Sequence, residues 1–414
     1  MTVARRPTPA QRGTPVLGAA STANASVAAK PPAQAAKEYE TVVLVLQGGG
    51  ALGAYQCGVY ESLADAGIEP DWFAGISIGA INAAILAGNA PADRVGRLRE
   101  FWSRVSQPAL PLPPQMLDWQ RRWIDALPKV EPWPALANWF GAWNALVDGQ
   151  TGFFVPRVPP PYAAPPGTPP ATSFYSTAPL RQSLEQFVDF DRLNHHGAPR
   201  FSVGAVNVRT GNFRYFDNRT TTIRAEHVMA SGALPPAFPA VEIDGECYWD
   251  GGLVSNTPLE YVLELQPRRD TLALQVDLWS ARGVLPRTLL DVLERQKDIQ
   301  YSSRTRRGTD MVAARQRLRL ALGELAALLP DKRFPPNLEG AFADWTCTKV
   351  VNIVHLIYQA KSYEEQYKDY AFGPQTMAEH WAAGLTDMRA TLARPAYFTK
   401  PSPDVGVVTH DVHR

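Results

Sequence analysis

The segment Thr41-Val42-Val43-Leu44-Val45-Leu46-Gln47-Gly48-Gly49-Gly50-Ala51-Leu52-Gly53 carries the main fold signal. Its first six residues are all β-branched or leucine. Such a run suits a strand buried on both faces, as in a parallel sheet covered by helices. Three glycines end it, and a helical stretch from about Ala51 to Ala66 follows, with Gly67 placed to cap it. A second short strand, about Asp71 to Gly75, leads through Ile76-Ser77-Ile78-Gly79 into a small-residue helix, Ala80 to Ala87. Strand, glycine turn, helix, strand, turn, helix is the order of βαβ units. The expected fold class is α/β with a mostly parallel central sheet.

Upstream, residues 1–37 hold no Asp or Glu and no periodic apolar face. They bury too little to offset ordering entropy, so residues 1–39 are expected as a disordered tail. An acid-free, Arg-bearing start also fits a transit peptide. Downstream, 15 of the 37 prolines fall between Pro108 and Pro170, with Trp119, Trp123, Trp133, Trp139 and Trp143 among them. That density excludes long regular elements and predicts an insertion, about 108–172, folded over the core and covering the mouth of a site. Hairpins are expected at Phe201–Asn207 with Phe213–Phe216, and at Val241–Ile243 with Cys247–Trp249 across Asp244-Gly245. Leu272–Leu278 and Val350–Tyr358 read as apolar strands, and 288–329 and 374–392 as helical. The expected division is a catalytic domain over 40–285, a largely helical extension over 286–398 and a tail over 399–414.

The 414 residues carry a formal net charge of +1, with 45% hydrophobic and 20% charged residues. A near-neutral chain lacks the basic field that nucleic-acid binding requires, so no nucleic-acid partner is expected. No uncharged apolar run reaches the roughly 18–20 residues of a membrane span. Cys57, Cys247 and Cys347 are odd in number and widely spaced. They suit a reducing, cytoplasmic setting and form no metal-ligand pattern. His195-His196 reads as a loop pair, and neither metal nor cofactor is implied.

Three motifs converge on chemistry. Gly48-Gly49-Gly50-Ala51-Leu52-Gly53 matches G-x-G-x-x-G between strand and helix. As a dinucleotide fingerprint it needs an acid at the end of the second strand, but Glu69 and Asp71 precede that strand. Gly75-Ile76-Ser77-Ile78-Gly79 matches the nucleophile elbow, in the strand-to-helix context that the motif demands. A serine capping the following helix would fit the same position. Asp250-Gly251-Gly252 follows a hairpin strand, where Tyr248, Trp249 and Phe238 would desolvate the carboxylate and raise its basicity. An Asx turn ahead of two glycines is the plainer account of that triplet.

Together the motifs resemble the patatin-like phospholipase family. The matching pieces are Gln47–Gly58, Gly75–Ala83 and Ala230–Pro258, the last ending Tyr-Trp-Asp-Gly-Gly-Leu-Val-Ser-Asn-Thr-Pro. The resemblance implies a three-layer sandwich and a lipid acyl hydrolase with a Ser–Asp dyad. Ser77 would be the nucleophile and Asp250 its base, with Gly48, Gly49 and Gly50 lining the oxyanion hole. The later region resembles the C-terminal extension of a bacterial branch. Leu52 stands where the family often has Arg or Lys, which removes an anion contact and leaves the backbone donors in place.

The same site follows from topology. In a parallel sheet both glycine turns open on one crevice at the C-terminal ends of neighbouring strands. The helix starting at Ala51, within the glycine motif that runs to Gly53, would point its free amides and positive dipole end there. An oxyanion formed at Ser77 would meet those amides and that of Ile78, while Gly75, Gly79, Gly251 and Gly252 let the backbones approach. Two rival readings remain. An α/β-hydrolase would use Ser77, Asp250 and His355 or His380, although too little chain precedes its elbow. A non-catalytic lipid-binding protein would use the tryptophans and Arg304, Arg306, Arg307, Arg315, Arg317 and Arg319 for peripheral membrane contact.

Overall fold

Thr41–Leu46 forms β1, and all six residues are buried. The computed structural model describes residues 30–107, 149–328, 345–359 and 368–412. In it, β1 lies between β2 (Trp72–Gly75) and β9 (Thr271–Asp277), parallel to both. The two faces of these strands feed different cores. Leu44, Leu46, Phe73, Leu272 and Leu274 pack under the helices Ala54–Asp65, Ile78–Ala87 and Pro374–Leu392. Val43, Val45, Trp72, Ala74 and Ala273 pack with Leu259, Val262, Leu263 and Val312, which come from the helices Leu259–Glu264 and Leu289–Ala327. Each fully buried Val or Leu in such a layer contributes about 1.5–3 kcal/mol. The result is helix, sheet, helix.

Short strands β3 (Val155–Pro156) and β4 (Tyr175–Ser176) form a separate pair. The main sheet has nine strands in the order β11-β10-β9-β1-β2-β5-β8-β7, with β6 also on β5. Here β5 is Arg200–Asn207, β6 Phe213–Asp217, β7 Val241–Ile243, β8 Glu246–Asp250, β10 Val351–Ile357 and β11 Val407–Asp411. Both expected hairpins form, and Asp244 takes φ +52° at the tip of the second. Val203 of β5 pairs with Gly75 of β2, and Ala205, two residues on, pairs antiparallel with Asp250. That register carries Asp250 to the end of β2, where Ser77 leaves the sheet.

Three boundaries are corrected. Residues 30–39 are not all tail: Pro32–Ala36 is a helix that buries Ala35 and Ala36. Buried Tyr39 accepts a hydrogen bond from Asn352 Nδ2 at 2.9 Å. Residues 286–398 carry the two expected helices, Leu289–Ala327 and Pro374–Leu392, but are not a separate extension, because β10 pairs with β9 inside the sheet. The expected 399–414 tail contains β11, which pairs with β10. Alanine-rich and short β-branched segments carry weak local signals, and only the sheet and helix surfaces they meet make their burial favourable. Of the insertion, residues 108–148, including all five tryptophans, lie outside the described residues.

Candidate active site

Ser77 sits between β2 and the Ile78–Ala87 helix at φ +55°, ψ −123°. Such a conformation costs of order 1–3 kcal/mol for a non-glycine residue and persists only where its surroundings impose it. The imposing contacts are backbone ones. A Cβ on Gly75 would stand 2.2 Å from the Gly79 carbonyl oxygen, and one on Gly79 would stand 2.3 Å from that of Leu46. Only glycines fit at both positions. The Ser77 side chain makes no capping bond to its helix. Its amide donates to Ser231 Oγ at 3.0 Å, and its hydroxyl lies near enough to Asp250 to draw that carboxyl's pKa down.

Asp250 ends β8 and is buried. Burial pushes its carboxyl up to about 7, against the opposing pull of the Gly252 amide and the Ser77 hydroxyl. Gly252 donates to Oδ1 at 2.6 Å. That contact is the Asx-type turn expected of Asp-Gly-Gly.

The glycine turn lies against the elbow, since a Cβ on Gly48 would come within 3.0 Å of Ser77 Cβ. The Gly48 carbonyl accepts from Asn256 Nδ2 at 3.0 Å and Trp279 Nε1 at 2.8 Å. Gln47 Oε1 takes the Leu278 and Trp279 amides at 2.6 and 3.1 Å. The Gly48 amide donates to the Asn256 carbonyl at 3.3 Å. Gly48 is therefore a wall of the expected oxyanion hole, not one of its donors. Gly53 is set back, where its Cβ would strike Ile78 Cγ1 at 2.5 Å, and Gly251 packs on the Gly204 carbonyl.

Gly48, Gly49, Gly50, Ser77, Ile78, Asp250 and Gly252 line one cleft. Phe153, Phe154, Phe238, Tyr370 and Phe372 supply an aromatic wall, with Phe153 and Phe238 ring centroids 5.9 Å apart. No Lys, Arg or His is among the described residues lining it. His355 Nε2 instead meets Asp277 Oδ2 at 2.8 Å within the sheet, and His380 Nδ1 faces the Ala51 carbonyl at 3.3 Å. Neither reaches Asp250. Arg315 and Arg319 pair with Glu260 and Glu264. Asn256 was visible in the Ser-Asn-Thr-Pro that follows Asp-Gly-Gly. Ser231 lay within the matching stretch Ala230–Pro258 without being singled out, and Trp279 and residues 369–372 had no local signal.

A family profile described as patatin-like phospholipase matches residues 44–263, more than half of the chain. The chain belongs to the patatin-like phospholipase family. A second profile, described as patatin phospholipase, matches residues 299–404 of this patatin-like chain. Lysophospholipase nte1 of Aspergillus terreus is 46% identical over 66 residues, which cover 16% of this chain and 4% of that protein. The patatin-like chain therefore matches only a small part of that relative's length. Among solved structures, VipD from Legionella pneumophila is 16% identical with a TM-score of 0.37, covering 86% of this chain and 67% of its own. Human GIVD cytosolic phospholipase A2 is 12% identical with a TM-score of 0.37, covering 89% and 63%.

Proposed function

We propose that the protein is a serine esterase that cleaves carboxylic esters of lipids through an acyl-enzyme on Ser77. One observation carries this reading: Ser77, held in a strained conformation, shares a cleft with a buried Asp250 whose carboxyl is pushed up to about 7. Such a carboxylate is basic enough to take the hydroxyl proton as Ser77 Oγ attacks the ester carbonyl. The oxyanion is then met by the amides of Gly49, Gly50 and Ile78. Collapse expels the alcohol, which takes the proton back from Asp250. Water, activated by the same carboxylate, then attacks the acyl-serine and releases the acid.

The aromatic wall and the family membership support a lipid acyl group as substrate. None of the described helices is long and apolar enough to cross a membrane. Close to Phe153 and Phe154 in the chain, Val158 and Tyr162 are 92% and 82% exposed, which suits peripheral contact with a lipid surface. A fluorophosphonate should label Ser77, and Ser77→Ala should lose both label and esterase activity. Label that persists in Ser77→Ala rules out this nucleophile, and a wild-type protein that resists labelling favours the non-catalytic lipid-binding reading.

A further inference from the structure

Residues 368–372 form a wall of the cleft that no motif marked. The Asp369 carbonyl accepts the Ala51 N–H at 2.9 Å. That same oxygen lies 2.2 Å from where a Cβ on Gly50 would stand, and Gly50 has φ +56°. The turn carrying the Gly49 and Gly50 amides thus takes its shape against this one carbonyl.

Three ion pairs, one at Asp369 and two of opposite polarity at Lys368, hold the segment there. The Asp369 carboxylate, 13% exposed, receives Lys297 Nζ at 2.9 and 3.0 Å. Lys368, 4% exposed, donates to Glu294 Oε1 and Asp298 Oδ1 at 2.9 Å each. Lys368 Nζ also lies 5.3 Å from the ring centroid of Trp279, whose Nε1 holds the Gly48 carbonyl. Glu294, Lys297 and Asp298 are spaced three and four apart, so they share one face of the Leu289–Ala327 helix. A slip of one residue would set Lys368 against Lys297 in one direction, or Asp369 against Glu294 and Asp298 in the other. The arrangement therefore specifies register as well as contact.

We propose that Asp369 is a positioning residue for ester cleavage. Clamped by Lys297, it holds the Gly49 and Gly50 amides where an oxyanion at Ser77 requires them. The inference rests on Ser77 being the nucleophile. Because the clamp acts through the turn and not through ground-state binding, its loss falls on kcat more than on KM.

The test compares full-length wild type, Lys297→Met, Lys297→Arg and Asp369→Asn. Three readouts are taken: the rate of fluorophosphonate labelling at Ser77, kcat and KM on a soluble p-nitrophenyl ester, and thermal unfolding. Lys297→Met and Asp369→Asn should slow labelling and kcat at least about tenfold. KM should stay within about twofold, and Lys297→Arg should restore most of the rate. If Lys297→Met does not fold, Asp369→Asn decides, because it keeps the carbonyl and the side-chain size while dropping the charge. Wild-type rates in both variants, or losses that only track the folded fraction, overturn the clamp alone. Absence of label on wild-type Ser77 overturns the nucleophile and the clamp together.

Discussion

At Asp250, the burial that raises the carboxyl's basicity also makes it costly to ionise. Its folded value of about 7 lies above the ordinary carboxylate range. Activity should therefore rise with pH towards about 7 and level off above it, because the protonated acid cannot take the Ser77 proton. The same shift sets the sign for stability. A carboxyl raised on folding stabilises most below its unfolded value, and that contribution is lost as pH rises through its folded value. Asp250→Asn keeps the shape and removes the charge. It should cost at least about a hundredfold in turnover, yet raise Tm at pH 8 more than at pH 4. A pH series of kcat/KM and of thermal unfolding on both proteins checks the two signs together. His355 and His380 have partners elsewhere, Asp277 and the Ala51 carbonyl. His355→Ala and His380→Ala should leave most turnover per folded molecule, measured with the same soluble ester. A loss in either comparable to that of Asp250→Asn would restore a triad.

Between elements, close backbone contact matters more than side-chain fit. The helices Ala54–Asp65 and Pro374–Leu392 cross where a Cβ on Gly384 would stand 2.0 Å from the Tyr55 carbonyl oxygen. A Cβ on Gly58 would likewise stand 2.0 Å from that of Trp381. Gly384→Ala therefore forces the helices apart, and urea denaturation should show a loss of at least about 1–3 kcal/mol. The elements themselves were readable where local chemistry repeats. β1, both hairpins and the elbow helix follow from β-branched runs, the glycine-bearing tips Arg209–Asn212 and Asp244-Gly245, and small residues. The 3₁₀ turns at Pro161–Ala163 and Pro169–Thr172 and the pair β3–β4 did not. In so proline-rich a stretch, neighbouring chains and not periodicity select the conformation.

At the scale of the whole molecule, the C-terminal region completes the sheet that holds the site. β11 donates and accepts along β10, and beyond the paired strands the Val351 amide reaches the Gly406 carbonyl at 2.8 Å. Deleting residues 399–414 bares the β10 edge and forfeits several backbone bonds, each worth about 1 kcal/mol net. Thermal unfolding should shift down by several degrees, with lower soluble yield, although Ser77 and Asp250 are untouched. A truncated protein of unchanged Tm would show that β11 is dispensable.

The βαβ order, the elbow at Ser77 and the Asp-Gly-Gly of Asp250 are local chemistry: backbone sterics, strand composition and turn residues act over a few neighbours, so they were legible from sequence alone. The family resemblance implied that Asp250 lies by Ser77, but the pairing of Ala205 with Asp250 that brings it there was not legible, because register is a property of two strands. The grip of Asn256, Trp279 and Asp369 on the glycine turn, and the entry of β11 into the sheet, have no local signature. They exist because distant segments bury against one another, and long-range burial leaves no period in the sequence to read.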